Sequence, residues 1–355
     1  MRAARAKQIL LVLCLVLVWL GQEAQARQVL ATTHKTAPGA AASPAATSMV
    51  LLRPADADLI KSQPGRAGNS LSGNSETAQL ARRISAQSAV VVDARTGRML
   101  FALNPDQPRQ PASTIKVITG LIAIHSLRDA ELVPTSRRAA EMPRSKIYLQ
   151  QGRSYRASDL VNATLLSSAN DATVALAERI AGSESAFARL MTSKARSMGA
   201  TNTVLINSNG LTARGQQSTA RDLAVIFHHA MQDQEFARRI GSRSVATGFG
   251  QTLRTNNRAL WQINGAQGGK TGFTRAAQQT YVGKFKRGND ELVVALMGSN
   301  SMWDDVGNLV EFGFRQLRGG SVLAEARVDP AFTRRLPGSG SVAMTVLSDV
   351  AKSSL

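Results

Sequence analysis

Pro111-Ala112-Ser113-Thr114-Ile115-Lys116-Val117-Ile118-Thr119-Gly120-Leu121-Ile122-Ala123-Ile124 sets a serine and a lysine three residues apart at the head of an apolar run. The run is long enough for a buried helix that Ser113 opens. At that spacing both side chains leave one face of a helix, a turn apart, so the Lys116 amine reaches the Ser113 hydroxyl. A serine becomes a nucleophile when such a neighbour takes its proton. A lysine of ordinary pKa near 10.4 is neutral in only about four molecules in ten thousand at pH 7. Burial and neighbouring positive charge must therefore depress it for this role. A serine opening a helix also serves as an ordinary N-cap, and Ser-x-x-Lys arises by chance about once in a chain this long. The helix start adds weight, because free N–H groups and the helix dipole favour a developing negative charge there.

Upstream, residues 88–103 alternate apolar stretches around Asp93-Ala94-Arg95-Thr96-Gly97, which predicts a β-hairpin. Downstream, helical patterns run over residues 157–181, 185–197 and 219–231, with Ser158 or Asp159 and Ser218 or Thr219 as N-cap candidates. Strand character returns over residues 271–299, with strands at 279–285 and 291–297 around Lys286-Arg287-Gly288-Asn289-Asp290, and residues 303–317 read as a closing helix. Strands at both ends with helices between them predict an α/β (α+β) fold: one sheet assembled from both ends of a catalytic domain over residues 81–320, with a helical insertion over about residues 125–260. No internal repeat is present.

The first residues carry Arg2, Arg5 and Lys7, then an apolar run over residues 9–20, then Ala24-Gln25-Ala26. This order predicts a cleavable secretory signal over residues 1–26 and therefore an exported protein of the periplasm or cell wall, at most peripheral to a membrane. The sole cysteine, Cys14, lies inside that segment, so a cleaved chain has no thiol chemistry and no disulfide. Residues 27–80, rich in Ala, Ser, Thr, Pro and Gly, read as a flexible leader, and residues 321–355 as an ordinary tail rather than an amphipathic anchor. The formal charge of +19 favours an anionic cell envelope as partner, or is a solvated arginine-rich surface. Nucleic acid is a poor partner for an exported chain without a recognition motif.

Two further clusters stand beside Ser113 and Lys116. Ser168-Ala169-Asn170 interrupts apolar stretches, as side chains facing a cleft do, and Lys270-Thr271-Gly272 enters strand territory, where a sheet edge offers backbone groups to an extended peptide. Ser72-Gly73-Asn74 repeats the Ser-x-Asn pattern, but in the leader and ahead of the nucleophile, and is set aside. Ser-x-x-Lys, Ser-x-Asn and Lys-Thr-Gly in this order resemble the active-site set of penicillin-binding proteins and serine β-lactamases. Ala169-Asn170-Asp171-Ala172, Asn209-Gly210-Leu211, Ser218-Thr219-Ala220-Arg221-Asp222 and Lys270-Thr271-Gly272-Phe273-Thr274 resemble in particular the low-molecular-mass D-alanyl-D-alanine carboxypeptidases over residues 86–317.

That resemblance implies the penicillin-binding/β-lactamase-like transpeptidase fold, an antiparallel sheet flanked by helices with a helical subdomain. It implies that Ser113 attacks the carbonyl between the two D-alanines of a peptidoglycan stem while Lys116 takes its proton. Ser168 relays a proton to the leaving D-alanine, Asn170 orients Lys116 and bonds the substrate amide, and Lys270, Thr271 and Gly272 hold the carboxylate end. Backbone N–H groups of Ser113 and Phe273 form the oxyanion hole, β-lactam antibiotics acylate Ser113, and no metal or cofactor is implied. Many relatives carry an arginine after the last long strand that helps bind the carboxylate; here Ser299-Asn300-Ser301-Met302-Trp303-Asp304-Asp305 stands there, and Arg275 is a candidate substitute. A D,D-endopeptidase cutting cross-links and a non-catalytic basic wall-binding protein are the competing readings. Glu-x-x-Leu-Asn, the deacylation motif of class A β-lactamases, is missing between Asn170 and Lys270. The histidines His34, His125, His228 and His229 lack zinc spacing, and Gly265 to Thr271 misses a phosphate-binding loop because Asn264 holds the place of its first glycine.

Overall fold

The computed structural model describes residues 71–319 and 329–333; the expected signal, most of the leader and most of the tail lie outside them. Helix α1 (Leu71–Arg83) leads into the hairpin of β1 (Ser88–Asp93) and β2 (Met99–Leu103). A 3-10 turn (Ala112–Ile115) then runs directly into α2 (Lys116–Ser126). The inserted region holds β3 (Leu132–Pro134), α3 (Arg137–Ala140), β4 (Ser154–Arg156), α4 (Ala157–Leu165), α5 (Asn170–Ala181), α6 (Glu184–Ser197), α7 (Ala220–Ala230), α8 (Gln234–Ile240), β5 (Ser244–Ala246), β6 (Thr252–Arg254) and α9 (Ala259–Gln262). The chain closes with β7 (Ala266–Thr274), β8 (Gln278–Arg287), β9 (Asp290–Ser299), α10 (Met302–Arg318) and the short α11 (Pro330–Thr333).

The main sheet has the order β2-β1-β9-β8-β7, antiparallel throughout, so β1 from the start of the domain lies beside β9 from its end. Both central strands are buried on both faces, and the two-residue period of a strand sorts their side chains into two cores. Val90, Val92, Val293, Ala295 and Met297 join the core beneath α2 and α7, while Ala89, Val91, Leu292, Val294 and Leu296 join the core beneath α1 and α10. This double burial is why β1 and β9 read as continuous apolar runs. Gly313 lets α10 lie close, since a Cβ there would stand 2.7 Å from both Val91 and Leu292 side chains. The strands β2 and β7 form the two edges of the sheet.

Four expectations are corrected. The pattern over residues 157–181 is two helices, α4 and α5, because residues 166–169 leave the helix with Ser168 at a φ of +59°. Neither Ser158 nor Asp159 caps α4: Arg156 precedes it without a side-chain cap, and Asp159 instead accepts the Gly248 N–H at 3.0 Å. The end of the expected leader is helical, and Leu80 and Ile84 pack into the second core. Thr219 caps α7 by accepting from Asp222 N at 3.0 Å. Part of the expected tail docks on the domain: Asp329 pairs with Arg221 at 2.7 Å and Phe332 is buried against α7. Among the described residues, no helix is long and apolar enough to cross a membrane.

The seam between the two chain halves is fastened by Asp305 at the head of α10. Its buried carboxylate accepts from Ser85 N at 2.8 Å, Ser85 Oγ at 2.7 Å and Ser299 Oγ at 2.6 Å. Removing an acceptor with three partners leaves buried donors unsatisfied. Asp305→Ala should therefore lower unfolding free energy by about 2–4 kcal/mol, read from the midpoint of a urea titration, and a change below about 0.5 kcal/mol would refute the role.

Candidate active site

Four separate stretches of chain converge on Ser113. The 3-10 turn that carries it is tied to the sheet through the Pro111 carbonyl, which accepts from Thr114 Oγ1 at 2.6 Å and from Thr280 Oγ1 of β8 at 3.0 Å. Ala112 is buried at a φ of +51°, and the chain passes Gly210 and Gly272 closely on either side. A Cβ on Gly210 would overlap the Ala112 carbonyl oxygen, and one on Gly272 would stand 2.7 Å from Ser113 N. Glycine is the residue that permits such backbone approach. Pro111 at the N-cap position has no side-chain cap bond, and Ser113 does not act as a cap.

Lys116 opens α2 and is fully buried. Its Nζ donates to Ser113 Oγ at 3.0 Å, to Asn170 Oδ1 at 2.7 Å and to Ser168 Oγ at 3.5 Å. From the sheet edge Lys270, also buried, reaches Ser168 Oγ at 3.0 Å and the Thr271 carbonyl at 2.8 Å. The structure thus brings Ser113, Lys116, Ser168, Asn170 and Lys270 into one hydrogen-bonded group. Thr271 and Gly272 follow Lys270 along β7, opposite Tyr281 and Thr280 of β8, and Phe273 comes next with an exposed ring. Ser113 Oγ has a further, long contact of 3.5 Å to the Asn209 carbonyl.

Burial draws Lys116 well below the usual lysine range; the charge of Lys270 lowers it further, and Asp171 opposes the shift. Burial alone brings Lys270 to about 7. Desolvation penalises the charged ammonium, so the fold shifts Lys116 toward the unprotonated amine, the form that can take the proton of Ser113. The break between α4 and α5 sets Ser168 between the two amines.

Two buried carboxylates that sequence reading did not assign hold the walls. Asp171 accepts from Ile147 N and Leu149 N at 3.0–3.1 Å and fixes the segment over residues 147–149. Asn170 binds that segment too, donating from Nδ2 to the Pro143 and Arg144 carbonyls and from N to the Ser145 carbonyl. Glu184, at the start of α6, accepts from Ser208 N, Ser208 Oγ and Asn209 Nδ2 and pairs with Arg138, which anchors the Asn209-Gly210 turn behind Ser113. Asp171 directly follows Asn170, a signal available in the sequence; Glu184 has none, because its partners lie 24 and 25 positions away. Arg275 is exposed at the turn between β7 and β8, where its carbonyl accepts from Gln278 Nε2 at 2.8 Å. Ser72-Gly73-Asn74 lies on α1, which packs on α10 behind the sheet. The stretch read against a phosphate-binding loop forms β7. Among the described residues no group of three or more His, Cys, Asp or Glu side chains is arranged to hold a metal ion.

Comparison with known proteins identifies the chain's relatives. The family described as D-alanyl-D-alanine carboxypeptidase matches residues 74–301. A D-alanyl-D-alanine carboxypeptidase of Mycobacterium tuberculosis is 36% identical over 240 residues, covering 64% of this chain and 82% of its own. The crystal structure of D-alanyl-D-alanine carboxypeptidase from M. tuberculosis H37Rv superposes with a TM-score of 0.61 at 34% identity, over 65% of this chain and 91% of that one. Penicillin-binding protein D2 of Listeria monocytogenes, solved in its cefotaxime-bound form, superposes with a TM-score of 0.60 at 27% identity, over 65% and 98%.

The buried lysines carry a stability consequence. Lys270 loses its proton at about 7 in the fold but at 10.5 when unperturbed. Between those values the unfolded chain binds the extra proton, so stability rises with pH through that window and the penalty is fully present below about 7. Lys270→Met should raise unfolding free energy by about 2 kcal/mol near pH 6, with the gain shrinking toward pH 10, while turnover is lost. Thermal melts across that pH range check it, and a variant less stable than wild type at pH 6 would contradict it.

Proposed function

The chain belongs to the D-alanyl-D-alanine carboxypeptidase family of serine peptidases, and from that premise we propose that it removes the terminal D-alanine of peptidoglycan stem peptides through an acyl-enzyme on Ser113. The observation that carries the assignment is the fully buried Lys116, donating at 3.0 Å to Ser113 and at 2.7 Å to Asn170. In this reading Ser113 Oγ attacks the carbonyl between the two D-alanines and its proton passes to the Lys116 amine. The carbonyl oxygen takes the negative charge between the backbone N–H groups of Ser113 and Phe273, where fixed donors stabilise it. The C–N bond then breaks as Lys116 returns its proton, through Ser168 between Lys116 and Lys270, to the departing D-alanine amine. Water attacks the ester and gives a proton to the Lys116 amine, which passes it to Ser113 Oγ as the ester C–O bond breaks and the shortened stem is released. Lys270, Thr271 and Gly272 hold the carboxylate end of the substrate.

β-Lactams present the same acyl carbon to Ser113, and we extend to this chain the drug binding seen in the Listeria relative. Export through the signal at residues 1–26, residence in the periplasm or cell wall, and attraction of the basic surface to an anionic envelope complete the proposal. A cross-link-cutting endopeptidase is the second reading, supported by the stretch after β9. That stretch has no cation, and Ser299 and Asp305 in it are engaged with Ser85.

Intact-mass measurement after incubation with penicillin should show one penicilloyl adduct, absent from Ser113→Ala, and D-alanine should be released from a pentapeptide. An adduct without D-alanine release would favour the endopeptidase; a wild type that gains no mass would remove Ser113 as nucleophile.

A further inference from the structure

The backbone is strained one residue before the nucleophile. Ala112 is fully buried at a φ of +51°, a left-handed conformation that a residue with a Cβ keeps only where its surroundings impose it. The peptide unit that follows has the Ala112 carbonyl at one end and the Ser113 N–H at the other, and its planarity makes the two turn together. Whatever holds the Ala112 carbonyl therefore also aims the Ser113 N–H, one of the two donors assigned above to the substrate carbonyl oxygen.

Gly210 is the neighbour that meets this carbonyl. At its φ of +86°, a Cβ would stand 2.0 Å from the Ala112 carbonyl oxygen and 2.4 Å from the carbonyl carbon. A contact made by close packing fixes the peptide only if the Asn209-Gly210 turn is itself fixed. Glu184 does that: its Oε1 accepts from Ser208 N at 3.1 Å, Ser208 Oγ at 2.8 Å and Asn209 Nδ2 at 3.1 Å. Its other oxygen pairs with Arg138. The Glu184 side chain is 6% exposed and that of Arg138 64%, so the three bonds to the turn are buried while the ion pair reaches solvent and contributes little.

The rest of the loop is fastened to the same elements. The Ser208 carbonyl accepts from Thr119 Oγ1 at 2.7 Å, one turn beyond Lys116 on α2. Gln110 Nε2, just ahead of Ser113, donates to the Ala213 and Gln216 carbonyls at 2.9 Å. Thr212 Oγ1 donates at 3.0 Å to Thr274 Oγ1, next after Phe273 on β7. Ala112 is thus enclosed by a loop tied to the nucleophile's own segment, its helix and the sheet edge, and the end of the loop that meets the strained peptide hangs on one carboxylate oxygen.

We infer that Glu184 is a positioning residue for the oxyanion site: through the Asn209-Gly210 turn it holds the Ala112-Ser113 peptide in the orientation that presents the Ser113 N–H to the substrate carbonyl oxygen. The inference rests on the acyl-enzyme reading above.

Such a donor acts as the oxygen gains charge, so spoiling its aim lowers the rate and spares ground-state binding. For D-alanine release from a pentapeptide, Glu184→Ala should lower kcat by about ten- to fiftyfold with KM within about twofold. The second-order rate of penicilloylation should fall by a similar factor, while the adduct still rises to one per chain on long incubation. A purely structural role would give the opposite pattern, a fraction of chains that never acylates and a remainder that acylates at the wild-type rate. Glu184→Gln keeps the Oε1 acceptor and gives up only the ion pair, so it should stay within about threefold of wild type in both rates, as should Arg138→Ala. If Glu184→Ala does not fold, Glu184→Asp decides: its carboxylate falls one methylene short of the turn, and it should lower kcat by about three- to fivefold at unchanged KM. Rates within about twofold of wild type in the Ala variant, or in the Asp variant where that decides, would overturn the inference. So would a raised KM at unchanged kcat, the structural pattern of acylation, or a Gln variant no better than Ala. A wild type that acquires no penicilloyl adduct and releases no D-alanine would instead strike the acyl-enzyme reading, and the inference with it.

Discussion

Two ammonium groups held out of water around one serine hydroxyl impose the main constraint on this molecule. Lys116 and Lys270 are both at most 1% exposed, and both reach Ser168. Two positive charges so close in a dry interior cannot both be held cheaply, so the site resolves the conflict by surrendering protons. Lys116 bears the larger share, since it meets burial and the charge of Lys270 together, with Asp171 as the partial counterweight. Both amines are thereby shifted toward the free form, Lys116 beside the Ser113 hydroxyl and Lys270, at about 7, on the sheet edge. Similar residues acquire different chemistry from their surroundings alone.

Holding such a group together demands that the segments around it be rigid, and the fold supplies rigidity through backbone acceptors and buried carboxylates rather than through more apolar area. Asp171 and Glu184 each take several N–H or O–H donors and fasten the two loops that wall the cleft. Asp305 does the same for the seam between the chain's two halves. Each of these loops would otherwise have unpaired backbone groups beside a cavity that must open to substrate. Gly210 and Gly272 let two of the segments close on the Ala112-Ser113 backbone, so Ser113 sits where three backbones nearly touch.

The extent to which sequence reveals this arrangement follows from how local each feature is. Ser113 and Lys116 are three residues apart, so helical geometry brings them together whatever the tertiary structure, and their pairing was legible. The strands were legible for a similar reason: apolar runs of the right length between turn residues survive as β1, β8 and β9. The break at residues 166–169 was not: the polar interruption at Ser168-Ala169-Asn170 was visible, but the end of the helix there is fixed by contacts from elsewhere. Asn256 N donates to the Leu166 carbonyl and Ser145 accepts from Asn170 N. Helix α1 escaped notice because its composition, Gly73, Asn74 and two serines among few apolar residues, has weak helical propensity, and packing on α10 overrides it. The fold class and the gathering of the motifs around one cleft came chiefly from family resemblance; residue spacing alone reached only a candidate serine and lysine.

A basic protein that merely adhered to the cell wall would place its cations where a polymer could touch them. Here most of the arginines do lie at the surface, but Lys116 and Lys270 do not, and a lysine that is almost completely buried adds nothing to a binding face. Burying an ammonium costs several kcal/mol and stabilises a fold less than a hydrophobic side chain of similar size would. The compensation lies in the site itself: an amine shifted toward its unprotonated form and 3.0 Å from Ser113 Oγ. Depressed basicity is useless for adhesion and necessary for proton transfer, so the two lysines separate an enzyme from a binder on physical grounds alone.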